Sequence, residues 1–223
     1  ARKRKRVYKK KTTRVGRPAI STIPSVYFFK RHHTETVMLS TGAPPDSWSV
    51  LNNGLGKQMV YSLSQLGDFT DFTNLFAQYK LTAIKMELLF SNSVSISNSG
   101  YSNNQLLVYT DSNNIGTTET LPESLFLTSQ TSRKRVCLTN SQYPIKFYNK
   151  LRQLRETYNG PTGTDYAMSY PRWISTGEST TPHYGMNIRI QRVDGQAMPA
   201  VTGAPTQYMK IFTTYYIACK KVE

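Results

Sequence analysis

The chain has little cysteine, little histidine and, at its start, no acid at all. Its 223 residues hold two cysteines and three histidines, and the first carboxylate is Glu35. Cys137 and Cys219 lie in apolar, strand-like stretches and form neither a Cys-x-x-Cys pair nor a disulfide framework, which points to a reducing intracellular compartment. The absence of any Asn-x-Ser/Thr acceptor agrees with a chain that avoids the secretory route. No apolar run approaches the ~18 residues of a membrane span, so membrane insertion is not expected. The start is polybasic with no apolar segment behind it, unlike a signal peptide. A start at Ala1 rather than Met is consistent with residues removed ahead of it.

Catalytic and metal-binding constellations are also missing. His32 and His33 are neighbours in a strand-like run and so point to opposite faces, while His183 is isolated. Neither cysteine has a histidine at ligand spacing, and no metal is expected. Asp68 and Asp71 form a close acidic pair at the start of a short helical pattern, where they suit N-terminal capping and dipole compensation better than acid/base work. No Gly-x-Ser-x-Gly motif occurs. Gly54-Leu55-Gly56-Lys57 lacks the spacing of a phosphate loop and reads as a turn. Neither an enzyme nor a cofactor is expected.

What the sequence does have is a cationic start. Ten of the first seventeen residues are basic: Arg2, Lys3, Arg4, Lys5, Arg6, Lys9, Lys10, Lys11, Arg14 and Arg17. With Val7, Tyr8 and Val15 as its sizeable apolar or aromatic residues, this segment cannot bury enough surface to offset the entropy of ordering it. A disordered arm that binds a polyanion is the expectation. The net charge is +15; the arm supplies +10, leaving 18 basic against 13 acidic residues, or +5, for the remainder. The basicity is therefore a tethered device more than a property of the whole surface.

Pro18 and Pro24 bracket a linker, so residues 1–24 read as arm and linker and residues 25–223 as one domain. Val26 to Leu39 reads as the first strand, and its Lys30 and Arg31 extend the cationic character. Thr41 to Lys57 reads as loop. Gln58 to Leu66 alternates, with Met59, Tyr61 and Leu63 on one face, and reads as a strand. Phe69, Phe72, Leu75, Phe76 and Tyr79 fall at helical spacing. Leu81 to Phe90 is a strong strand pattern, with Ile84, Met86, Leu88 and Phe90 sharing one face. Further strands are expected at Leu106 to Thr110, Arg133 to Thr139 (with Val136 and Leu138 inward), Tyr166 to Ser175 (broken or edged by Pro171), Gly185 to Val193 and Tyr208 to Lys220. Leu121 to Leu127 has no clear type. Gln142 to Tyr158 fits strand or helix, and its Lys146, Lys150, Arg152 and Arg155 make a second basic patch. Ser91 to Gln105, Asp111 to Thr120 and Gly195 to Pro205 read as surface loops. About eight strands, one short helix and no βαβ rhythm point to an all-β antiparallel sandwich or barrel. Most of the fifteen tyrosines suit strand packing; Tyr8 and Tyr27 sit where base stacking is an option.

Two stretches carry a family resemblance. "FTDFTNLFAQYKLTAIKMELLF", Phe69 to Phe90, resembles the short helix and following strand of the coat proteins of circular, Rep-encoding single-stranded DNA viruses, the circovirus-like group. Trp173, followed by His183-Tyr184-Gly185-Met186, is similar to the "W…YYG" passage of the same group. The order of elements matches over nearly the whole chain. The resemblance implies an eight-stranded antiparallel jelly-roll sandwich and a sixty-subunit icosahedral shell. It also implies a single-stranded DNA genome packaged through the arm, entry into the host nucleus and a host-cell receptor. On that reading Arg2 to Arg6, Lys9 to Lys11, Arg14, Arg17, Lys30 and Arg31 bind nucleic acid. The clusters Arg2 to Arg6 and Lys9 to Lys11 also have the composition of a nuclear-import signal. A small RNA-virus coat protein and a cellular basic nucleic-acid-binding protein remain the alternatives.

Overall fold

The computed structural model describes residues 26–92, 105–113, 121–138, 143–158, 164–198 and 207–221. The arm, and the greater part of the three polar loops at 91–105, 111–120 and 195–205, lie outside the described residues.

Eight strands build two facing sheets. In the first, β1 (Val26–Leu39) pairs with β12 (Gln207–Lys220), β12 with β4 (Gln78–Asn92), and β4 with β7 (Ile145–Lys150). In the second, β3 (Gly54–Tyr61) pairs with β11 (His183–Arg192), β11 with β5 (Gln105–Asp111), and β5 with β6 (Ser132–Leu138). All these pairings are antiparallel. Numbered along the chain, the eight run 1-8-3-6 and 2-7-4-5, so that first meets last, second meets seventh, and so inward. That is a jelly roll. Four short strands decorate it: β2 (Ser49–Leu51) beside β3, β10 (Ile174–Ser175) beside the start of β4, and the hairpin of β8 (Gln153–Tyr158) with β9 (Thr164–Ser169). The expected eight-strand sandwich is therefore present, with additions.

The core follows from alternation. Ile84, Met86, Leu88 and Phe90 of β4, with Met209, Ile211, Tyr215 and Ile217 of β12, face Leu55, Met59, Val108, Ile188 and Ile190 of the other sheet. The Tyr61 and Tyr215 rings meet edge-on with centroids 5.6 Å apart, a geometry that adds about 1 kcal/mol to plain burial. In β4 the register slips at Thr82, which sits as an extra residue between Leu81 and Ala83 and lets both flanking segments keep their buried faces.

Several expectations are corrected. Thr41 to Lys57 is not one loop: Asn52 and Asn53, with φ of 47° and 60°, make a tight two-residue turn between β2 and β3. Gly54 to Lys57 is thus strand, not turn. Its glycines serve packing, since a Cβ on Gly54 would sit 2.5 Å from the Arg189 guanidinium and one on Gly56 3.0 Å from Leu121. The strand expected to reach Leu66 stops at Tyr61. There the Ser62 amide donates to Gln65 Oε1 and starts a 3-10 turn, Leu63–Gln65, with Leu63 still inward.

The helix α1 (Phe69–Leu75) ends earlier than its spacing suggests, because the Ala77 amide donates to the Lys220 carbonyl and pulls the chain into the sheet. Tyr79 is consequently a buried strand residue, and Leu75 is exposed. Asp68 occupies the N-cap position of α1 but does not cap it; its carboxylate accepts from Arg31 instead. In β6 the parity is reversed: Val136 is exposed and Cys137 buried, because Arg133 and Arg135 take the inward positions at this edge strand, Arg135 over the Phe147 ring. The untyped segment holds a short helix, α2 (Glu123–Thr128). The ambiguous 142–158 segment is two strands, β7 and β8, hinged at the fully buried Leu151. The break expected at Pro171 within Tyr166 to Ser175 is present, between β9 and β10.

Candidate nucleic-acid interface

The two sheets treat their outer faces differently. On the second sheet, residues 121–128 fold over β11 and β5, so β11 is buried on both sides. Arg189 lies beneath this cover at 1% exposure. Its guanidinium donates to the carbonyls of Leu121 (2.8 Å), Leu51 (2.8 Å) and Asn52 (3.3 Å), and its Nε to Gln191 Oε1 (2.8 Å). Burial pushes Arg189 below its ordinary value while nearby Glu123 opposes that shift. Hydrogen bonds from Tyr109 and Gln191 hold the Glu123 carboxyl low, and burial with the Glu123 contact pushes Tyr109 up to about 12. This cluster fastens the β2–β3 turn to the 121–128 segment, a structural task.

Among the described residues, nothing covers the outer face of the first sheet in this way. Register places its side chains in rows across β1, β12, β4 and β7. One row holds Lys30, Tyr216, Ala83 and Lys150; the next, His32, Thr214, Lys85 and Tyr148; the third, Thr34, Phe212, Glu87 and Lys146. Further rows add Lys210 on one side, and Lys80 and Lys220 on the other. These rows contain seven lysines and one acid, Glu87. Lys85 at 3.0 Å and Lys146 at 3.4 Å hold the Glu87 carboxyl below its usual range, the hydrogen bond from Lys85 being the larger cause. Aromatic rings are interleaved. Lys30 Nζ stands 5.5 Å from the Tyr216 ring centroid, Lys210 5.3 Å from Phe212, and Lys220 4.0 Å from Trp173. Tyr148 meets Tyr216 edge-on at 5.9 Å.

Of the basic residues singled out in the sequence, Arg2 to Arg6, Lys9 to Lys11, Arg14 and Arg17 lie outside the described residues. Lys30 and Arg31 are separated by strand alternation. Lys30 belongs to the open face. Arg31 turns toward α1, where its Nε donates to Asp68 Oδ2 at 2.5 Å and its guanidinium lies 5.3 Å from the Phe72 ring. The second basic patch divides as well: Lys146 and Lys150 join Lys30, whereas Arg152 is bridged to Tyr184 and Arg155 stands on the β8–β9 hairpin. Sequence reading missed Lys80, Lys85, Lys210 and Lys220 as partners of Lys30. Their signal is the outward position of each lysine opposite an inward apolar residue, which becomes a patch once the strand order is known.

Among the described residues, no group of three or more His, Cys, Asp and Glu is placed to hold a metal ion, and no helix is long and apolar enough to cross a membrane. His183 is engaged inside the fold: Nδ1 donates to the Thr181 carbonyl at 3.0 Å, and Nε2 accepts from Gln153 Nε2 at 2.8 Å.

The model of the circovirus capsid protein family matches residues 1–223, the full length of the chain. The chain belongs to that family. As a capsid protein it is a component of the virion, and its family and fold are structural rather than enzymatic. No curated protein matches it in sequence. Among solved structures, the crystal structure of the 60-mer BFDV capsid protein superposes with a TM-score of 0.55 at 12% identity, over 89% of this chain and 95% of that one. The decameric BFDV capsid protein gives 0.48 at 13% identity, covering 88% and 100%. The capsid protein in a semi-empty virus-like particle of the giant freshwater prawn Macrobrachium rosenbergii nodavirus gives 0.40 at 10% identity, covering 92% and 100%. The first of these supports the shared jelly-roll fold.

Proposed function

We propose that this capsid protein assembles with copies of itself into a small closed icosahedral shell and packages a single-stranded DNA genome through its basic arm. The carrying observation is that the family match spans all 223 residues, arm and jelly roll together. In this reading residues 1–24 are arm and linker, and residues 25–223 form the shell domain. Arg2, Lys3, Arg4, Lys5, Arg6, Lys9, Lys10, Lys11, Arg14 and Arg17 neutralise phosphates without reading bases. A shell of sixty subunits, the number named for the BFDV capsid protein, would bring roughly 600 arm charges inward. Packaging is then largely electrostatic. The clusters Arg2 to Arg6 and Lys9 to Lys11 double as the nuclear-import signal; replacing both with glutamine should abolish nuclear accumulation of the protein, and unchanged accumulation would overturn that role. Exterior loops meet the host-cell receptor.

Electron microscopy of the purified protein tests the assembly. Uniform closed particles containing nucleic acid are expected, and monomers alone at low and moderate salt would overturn the reading. Nuclease digestion of virion contents checks the cargo: sensitivity to DNase and resistance to RNase are expected, and the reverse would make it an RNA coat.

A further inference from the structure

We propose that the outer face of the β1–β12–β4–β7 sheet is a second, ordered platform for single-stranded nucleic acid, distinct from the arm in sequence. This rests on the packaging reading and adds a defined surface to it. Four observations meet here. The rows of this face oppose seven lysines with one carboxylate, so its field favours a polyanion and disfavours a second copy of the same surface. Lys30, Lys146, Lys150 and Lys210 are exposed, and the single carboxylate Glu87 is shared between Lys146 and Lys85, so the face keeps a large cationic excess. Tyr148 is 61% exposed and Phe28 78%, far above what aromatic residues in a packed sheet show, and both stand among the lysines as π-faces open to solvent. Finally, β1 follows the basic arm in sequence, with Lys30 the first lysine of the described face.

Interleaved aromatic rings distinguish the occupant. A sulfated polysaccharide would use the lysines and leave the rings idle, whereas unpaired bases stack on aromatic faces whatever their sequence. A duplex hides its bases and gains nothing from Tyr148. The chemistry fitted is therefore phosphodiester plus exposed base, without base-specific hydrogen bonding.

The test uses the full-length protein, stripped of nucleic acid in high salt and kept dilute, with a fluorescent thirty-nucleotide oligo-dT titrated across NaCl concentrations. Each phosphate contact to a single strand contributes about 0.7 to the slope of log affinity against log salt. Changing Lys30, Lys146, Lys150 and Lys210 to glutamine should lower that slope by about 3. Changing Lys134, which alternates to the opposite face of β6 in the other sheet, to glutamine should leave it unchanged. Tyr148→Ala should weaken oligo-dT by about five-fold or more, Tyr148→Phe should restore it, and binding of heparin or of an abasic oligonucleotide should be unaffected. An unchanged slope in the four-lysine variant, or an equal fall per lysine in the β6 variant, overturns the platform while the arm still accounts for packaging. Equal loss of heparin and oligo-dT on Tyr148→Ala, or no loss of either, overturns the stacking. If the unmodified protein shows no salt-dependent affinity for oligo-dT, the packaging reading itself falls. Far-UV circular dichroism confirms that each variant is folded.

Discussion

Acid should loosen this protein through His183 in a way that one substitution can isolate. The side chain is 0% exposed, its Nδ1–H is committed to the Thr181 carbonyl, and its Nε2 accepts from Gln153. The Tyr79 ring centroid lies 6.0 Å away, and no carboxylate is paired with the imidazole to stabilise a positive charge. Burial therefore lowers its pKa from 6.5 to about 4, against a smaller upward contribution from the carbonyls around it. Because the unfolded chain takes up this proton more readily than the folded one, the contribution is fully present above pH 6.5 and is lost as pH falls toward and through 4. The gap between 6.5 and about 4 corresponds to about 3 kcal/mol in all, most of which is gone by pH 4.5. His183→Gln removes the titration. Urea unfolding followed by tryptophan fluorescence, at pH steps from 7.5 to 4.5, gives the stability of each protein; their difference cancels the carboxylates common to both. Wild type should lose roughly 2–3 kcal/mol relative to the variant across that range. A difference that stays constant with pH would refute the reasoning and show that solvent reaches the imidazole in the folded state.

Two further outcomes are expected. Arg189→Met should cost about 3 kcal/mol or more, because three backbone carbonyls and Gln191 lose a charged donor beneath the 121–128 cover; a shift in urea stability under 1 kcal/mol would show that those groups find other partners. Deleting residues 1–17 should leave the thermal transition of the jelly roll in place and reduce the nucleic-acid content per particle, read from the absorbance ratio at 260 and 280 nm; a truncated protein that melts would make the arm structural.

Strand patterns were legible wherever one face of a strand is dry and the other wet, as in β4 and β12, whose alternation placed Met86, Leu88, Ile211 and Ile217 in the core. Legibility failed where that contrast is missing. β6 is an edge, so arginines occupy its inward positions, and Val136 ended outside. β11 is covered on both sides, and Arg189 looks polar in sequence yet is among the most buried residues. The reach of α1 was overestimated because Tyr79 satisfies helical spacing and strand pairing equally, and the sheet partner Cys219 lies 140 residues away. The candidate interface was half legible for a related reason. Lys30, Lys146 and Lys150 were noticed as separate runs, but only the strand order brings them into one surface with Lys85 and Lys210, and only alternation sends Arg31 away from it.

The position of β12 has a consequence for how a subunit is made. This strand lies between β1 and β4 and pairs with both along its length, yet it is the latest of the strands to be synthesised. At about 5–20 residues per second, β1 waits roughly 10–40 s for its partner. Throughout that interval β1 and β4 lack their shared partner, leaving the kind of unpaired backbone and open apolar surface that is prone to aggregate. A polypeptide broken off before Gln207 never closes its first sheet. Arrival of β12 is thus the step that turns two open, unpaired edges into a closed sheet.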